Sequence, residues 1–132
     1  PLNEEKMAFY ISSLSDKGAW PDINYEDKKR SGWEPKLHAE RILELVKLYY
    51  SKQTPYYQSA EVETAIHKAL DYWFTSKPIC LNWWYNQIGI PRTLGPAFLL
   101  FETEMTEKEN QEAIRVMEQS HWALRLFYLN KS

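Results

Sequence analysis

Apolar residues recur at helical spacing along most of the chain. The segments that begin at Pro35 and Ser59 each carry one apolar stripe, with polar residues largely off it. A third stripe follows from about residue 94, and Thr106 with Glu109 forms a capping-box pattern before a fourth. The residues expected on the buried faces are Ile42, Leu45, Val46, Tyr49, Val62, Ala65, Ile66, Ala69, Leu70, Trp73, Leu94, Ala97, Phe98, Phe101, Ala113, Ile114, Met117, Leu124 and Phe127.

These stripes, with a short first helix over residues 4–14, predict an all-α protein of about five helices. No segment alternates convincingly like a strand. The apolar stripes begin near residues 39, 60, 94 and 113, so their spacing is not constant and a regular solenoid is disfavoured. An array of helical hairpins, as in an α/α toroid, tolerates such variation, and a plain helical bundle is the alternative.

A long polar segment over residues 15–34 separates the first two helices. It is rich in Asp, Gly, Pro and Lys, yet it also contains Trp20, Ile23, Tyr25 and Trp33. Loops of this length without secondary structure are uncommon and are often functional. We therefore expect the aromatic residues to fix this loop against the body of the protein.

Charge and cysteine content exclude several classes of function. The chain carries 16 basic and 18 acidic residues, a net charge of −2, with no basic tail or stripe typical of nucleic-acid binding. One cysteine, Cys80, permits no internal disulfide, and a small buried residue is its default role. His38, His67 and His121 lie on three different predicted helices, and no motif for a metal or cofactor is found. No apolar run reaches membrane-spanning length.

The segment NWWYNQ, residues 82–87, is the strongest candidate for binding chemistry. On a helix, Trp83 and Trp84 are about 100° apart and cannot both face one core seam. A buried plug remains one interpretation, because paired tryptophans are more often core residues. The flanking amides of Asn82, Asn86 and Gln87 favour a surface on which a flat ligand stacks, since amides are costly to bury and useful toward hydroxyl groups.

Three ordered stretches resemble the family 8 polysaccharide lyases. NWWYNQIGIPRTLGPAFLL is similar to the family's N-W-W-x-x-x-I-x-x-P segment, and DKGAWPDINY to its D-G-S-W-x-D stretch. PYYQSAEVETAIHKALDYWFTSKP resembles the helix that leads into N-W-W. Together these stretches span most of the chain, and their combination is far more specific than N-W-W alone.

The resemblance implies a fold and a function. Residues 1–132 are expected to be an N-terminal fragment of the α/α-toroid domain of a secreted or periplasmic lyase. Such an enzyme cleaves uronic-acid polysaccharides such as chondroitin or hyaluronan by β-elimination. Carried over, Trp83 and Trp84 stack on sugar rings and Asn82 hydrogen-bonds to the sugar chain.

The resemblance also limits what this chain is expected to do. The family's catalytic Asn, His, Tyr and Arg come later than the N-W-W segment, so no catalytic residue is expected in this chain. The expected partners are the remainder of the parent lyase and an acidic polysaccharide. The alternative is a helical carbohydrate- or protein-binding module without catalysis.

Overall fold

The computed structural model describes residues 3–119, and all regular structure in that part of the chain is helical. Two short turns flank the fourth of five α-helices: a π-helical turn, Tyr85–Gly89, before it and a 3₁₀ turn, Glu102–Glu104, after it. The predicted all-α fold of about five helices is therefore confirmed. The helices are α1 (Glu4–Ser13), α2 (Pro35–Tyr49), α3 (Ala60–Ser76), α4 (Ile90–Phe101) and α5 (Glu107–Met117).

Local signals explain where the helices begin. Pro35 occupies the first turn of α2, where its missing N–H costs nothing. Ser59 caps α3 through its side chain. At α5, the Thr106 side chain accepts from the Glu109 amide and the Glu109 side chain accepts from the Thr106 amide, which completes the predicted capping box.

Helix α2 lies at the centre of the described fold. It packs against α1, α3 and α4, and α5 packs on both α3 and α4. The residues predicted for the buried faces of α2, α3 and α4 are all buried, whereas Ile114 of α5 is only half-buried. Leu124 and Phe127 lie outside the described residues. No helix within residues 3–119 is long and apolar enough to cross a membrane.

The long loop over residues 15–34 is fixed against the helices, as predicted. Trp20, Ile23 and Trp33 are buried in the common core. Gly18 has a φ of +90°, and a Cβ at this position would lie 2.0 Å from the backbone oxygen of Lys68. Only glycine fits here, because the loop backbone lies directly on α3.

A hydrogen-bonded chain joins this loop to α2 and α3. The Trp20 amide donates to the Tyr25 hydroxyl over 2.9 Å. Because that oxygen accepts from Trp20, its proton is directed to His38 Nδ1, 2.8 Å away. His38 Nε2 lies 2.8 Å from the Ala69 carbonyl oxygen, which only accepts, so Nε2 carries the proton. Burial lowers the pKa of His38 to about 4, and the imidazole is a neutral structural group.

Candidate functional site

The segment before α4 exposes four large apolar side chains. The exposed fractions are 71% for Ile79, 58% for Leu81, 60% for Trp83 and 38% for Trp84. The indole N–H groups of Trp83 and Trp84 make no hydrogen bond within residues 3–119. The interpretation of Trp83 and Trp84 as a core plug is therefore wrong. We call these two residues the aromatic platform.

Asn82 shapes the backbone on which the platform sits. Its Oδ1 accepts from the Trp84 amide over 3.0 Å, in the manner of a helix cap. Its Nδ2 donates to the Arg30 carbonyl over 2.9 Å. Asn82 therefore holds two chain segments together, and one N–H and one lone pair of its amide have no partner within residues 3–119.

Tyr85 links the exposed platform to buried aromatic residues. Its ring makes an edge contact with Trp84, with centroids 5.4 Å apart, and a tilted contact with Trp33 at 5.7 Å. Its hydroxyl accepts from the Gly32 amide over 3.0 Å. Since Trp33 is buried, the Trp84 ring is supported from beneath by the long loop.

Asn86 closes the loop that leads to the platform. Its Oδ1 accepts from the Cys80 amide and its Nδ2 donates to the Cys80 carbonyl, both over 2.8 Å. Cys80 is buried, as predicted. These partners make Tyr85 and Asn86 structural supports of the platform.

The platform enters α4 through the π-helical turn Tyr85–Gly89. Such turns often occur at functional sites. A Cβ on Gly89 would lie 2.8 Å from Cζ3 of Trp84, so the indole ring lies directly on the glycine. Pro91 follows at the start of α4 and brings no amide proton to this turn.

A basic segment that the sequence analysis overlooked lies beside the platform. Arg30 Nη1 donates to the Leu81 carbonyl over 3.1 Å, and residues 28–30 are all basic and exposed. The run of three basic residues at positions 28–30 is visible in the sequence, but the near-zero net charge of the chain does not indicate a basic surface. Lys29 Nζ lies 3.7 Å from the Asp27 carboxylate, which offsets part of the local charge.

The remaining described histidine lies elsewhere. His67 Nδ1 is 2.9 Å from both carboxylate oxygens of Glu109 on α5, and its Nε2 is 3.6 Å from Glu63. The contact with Glu63, one turn earlier on α3, is longer than the contact with Glu109. The hydrogen bond to Glu109 raises the pKa of His67. His121 lies outside the described residues.

Ionisable groups around His67 form a small cluster. Burial, followed by a hydrogen bond with Glu109, raises the pKa of Asp71 to about 6. Burial alone would raise the pKa of Glu109, but hydrogen bonds from His67 and the Thr106 amide lower it overall. Within residues 3–119 no group of three or more His, Cys, Asp or Glu side chains is arranged to hold a metal ion.

Comparison with known proteins gives one consistent family. Residues 3–122 match the sequence model of polysaccharide lyase family 8, N-terminal alpha-helical domain. Chondroitinase-AC of Pedobacter heparinus is 33% identical over 90 residues, which are 68% of this chain and 13% of that protein. A solved structure of chondroitinase AC lyase, from enzyme–oligosaccharide complexes, has a TM-score of 0.84 and 26% sequence identity.

That structural match covers 99% of this chain and 22% of the solved chain. The likeness confirms the predicted fold, an incomplete set of the helical hairpins of an α/α toroid. The chain spans 13% of the length of the curated relative, so it corresponds to a part of such a protein. On the family match and these two likenesses, the chain belongs to polysaccharide lyase family 8.

Proposed function

We propose that this chain forms part of the substrate cleft of a lyase that cleaves uronic-acid polysaccharides of the chondroitin or hyaluronan type by β-elimination. The observation that carries the proposal is the exposure of Trp83 and Trp84 on a rigidly held turn of a family 8 chain. The protein described as chondroitinase-AC, similar over 68% of the chain, supports this substrate class.

The platform has the chemistry that a sugar ring requires. A pyranose presents an apolar C–H face and a polar rim, and an indole ring complements the apolar face. The Trp84 ring contacts Tyr85 and Gly89 and its amide donates to Asn82, so Trp84 loses little conformational freedom when a sugar binds. The remaining hydrogen-bonding capacity of Asn82 is available for hydroxyl groups at the sugar rim.

We assign no catalytic residue to residues 3–119. In β-elimination a base removes the proton from C5 of the uronic acid, the C4–O bond breaks, and a C4–C5 double bond forms. His38 is buried and neutral, and both ring nitrogens of His67 face carboxylates, Glu109 and Glu63, so neither suits that base. We propose that residues 1–132 are an N-terminal piece of the toroid domain and that groups elsewhere in the parent lyase perform the chemistry.

The location of the parent protein follows from its substrate. Polymers such as chondroitin and hyaluronan do not cross a cell membrane unaided, so we propose a secreted or periplasmic lyase. Cell fractionation with an antibody against this chain checks this. Recovery in the cytoplasmic fraction alone would contradict it.

The test uses the full-length protein with chondroitin or hyaluronan and follows ultraviolet absorbance from the new C=C bond. We expect Trp83→Ala and Trp84→Ala to raise KM about tenfold with kcat nearly unchanged, because stacking binds ground and transition states alike. Phe9→Ala is the matched control, since Phe9 is an aromatic residue of α1 that is 47% exposed.

The outcomes separate the candidate functions. An absence of any absorbance change on every uronic-acid polymer would exclude the lyase. If the full-length protein binds these polymers through Trp83 without cleaving them, the helical carbohydrate-binding module is the better description. Equal KM values for Trp83→Ala and Phe9→Ala would remove the role of the platform.

A further inference from the structure

We propose that Lys28 and Arg30 form a specificity-determining basic edge beside the aromatic platform, which contacts the carboxylate or sulfate groups of the bound polysaccharide. The proposal rests on the proposed function, because it concerns a sugar chain lying on Trp83 and Trp84. We call Lys28 and Arg30 the basic edge.

The fold fixes Arg30, one of the two residues of the basic edge, to the platform segment by reciprocal contacts. Arg30 Nη1 donates to the Leu81 carbonyl over 3.1 Å, and Asn82 Nδ2 donates to the Arg30 carbonyl over 2.9 Å. Next to them, Cys80 Sγ lies 3.5 Å from the Lys29 carbonyl oxygen. Segments more than 50 positions apart in the sequence are thus joined at three adjacent residues.

The positive charge of the edge is not cancelled locally. The carboxylate of Asp27 is turned inward, where it accepts from the Lys29 and Glu34 amides over 3.0 Å and 2.9 Å. Its remaining charge is offset by the ammonium group of Lys29. Lys28 and Arg30 are exposed and form no ion pair within residues 3–119.

The geometry places the charge of Arg30 within reach of a ligand on the platform. The guanidinium group of Arg30 bonds to Leu81, two residues before Trp83, and each such step spans about 3.8 Å. The contact with Leu81 occupies one of five guanidinium N–H donors, so the others remain for a carboxylate or sulfate. An acidic group on the stacked sugar or its neighbour therefore meets a cation at this edge.

This arrangement explains how a chain with net charge −2 recognises a polyanion. The rings supply affinity for the sugar face regardless of charge. The basic edge supplies the preference for acidic sugars, through an interaction that salt weakens. Net charge is uninformative here, because the relevant cations are brought together by folding.

The experiment measures binding of chondroitin sulfate to the full-length protein by tryptophan fluorescence over a range of NaCl concentrations. We expect Lys28→Gln and Arg30→Gln each to raise Kd about threefold to fivefold at low salt. Each should also flatten the dependence of log Kd on log salt. Lys52→Gln is the matched control, because Lys52 is an exposed lysine of a different loop.

The variant Arg30→Lys distinguishes a positioning role of Arg30 from a contribution of its charge to binding. This variant keeps the charge but not the fork-like donors, so it should restore the salt dependence even if affinity falls. If Arg30→Gln and Lys28→Gln keep the wild-type salt dependence while Trp83→Ala weakens binding, the basic edge is refuted and the platform stands. If the wild-type protein binds no acidic polysaccharide, the proposed function itself fails.

Discussion

Two groups of tryptophans in this chain differ in how their indole rings are used. Trp20 is 1% exposed, its Nε1 donates to the Tyr10 carbonyl over 2.9 Å, and its ring makes an edge contact with His38 at 4.9 Å. Trp83 is 60% exposed, and its indole N–H has no partner within residues 3–119. The first ring is fully committed to the fold, whereas the second has a free face and a free donor.

The comparison teaches that residue type alone does not separate structure from binding. Both groups follow Gly- or Pro-containing segments and have polar neighbours in the sequence. What separates them is whether the polar neighbours hydrogen-bond around the ring or beneath it. The polar neighbours of Trp20 enclose its ring. At the platform, Asn82 hydrogen-bonds to the backbone amide of Trp84 and leaves both indole rings exposed.

The largest expected effect is the loss of stability when the buried ring of Trp20 is truncated. We expect Trp20→Ala to lower the free energy of unfolding by about 3–5 kcal/mol, because it leaves a cavity in a packed core. Trp83→Ala should change it by less than about 0.5 kcal/mol, as surface substitutions do. Urea denaturation followed by circular dichroism measures both. A large loss of stability in Trp83→Ala would break the distinction between the two groups.

Acid should weaken the packing around Trp20, through His38, and leave the platform unaffected. Burial lowers the pKa of His38 from 6.5 to about 4, so between these values the unfolded state binds a proton that the folded state does not. Stability therefore falls as pH falls through this interval, by about 3 kcal/mol at most. Denaturation curves at pH 7 and pH 4.5 measure the loss. Trp83→Ala should leave this pH dependence unchanged, because residues 82–84 carry no ionisable side chain.

The cluster around His67 opposes the loss of stability at low pH and provides a control for the effect of His38. His67 and Asp71 have raised pKa values in the folded state, so their contributions are present at low pH and are lost as pH rises. The groups that face His67 are Glu63 and Asp71 on its own helix and Glu109 on α5. His67→Gln should therefore steepen the acid loss. An unchanged or shallower dependence would show that the cluster around His67 does not oppose the acid loss.

The smallest expected effect concerns Gly89. In a helical turn Gly→Ala stabilises by about 0.5–1 kcal/mol, but here the added methyl group displaces the Trp84 ring. Because that ring is partly exposed, it is able to move outward, and we expect a net stability change below about 1 kcal/mol. Affinity for chondroitin should nevertheless fall severalfold.

The helices could be predicted from the sequence because their signals are local. The stripe from Ile42 to Tyr49, the Ser59 cap and the Thr106–Glu109 capping box each lie within a few turns of chain. The burial of Trp20 and Trp33 also followed from composition, since large aromatic residues in a polar loop gain most by packing onto the core.

The supports of the platform could not be predicted, because they join distant segments. The contacts of Arg30 with Leu81 and of Gly32 with Tyr85 span 51 and 53 residues. No periodicity or spacing reports such a pairing. The flanking amides and the family resemblance correctly placed Trp83 and Trp84 on the surface, and sugar binding by Asn82, Trp83 and Trp84 stays a prediction.

The number of residues in the π-helical turn Tyr85–Gly89 determines the direction in which Trp83 and Trp84 point. It accommodates one residue more than an α-helical turn, and each residue rotates a helix by about 100°. Removing one residue from this turn would leave α4 packed as before while turning Trp83 and Trp84 through about a quarter of the helix circumference. The orientation of the platform thus depends on the residue count of this turn, and the contacts of Asn82 with Arg30 and of Tyr85 with Gly32 and Trp33 hold that count fixed.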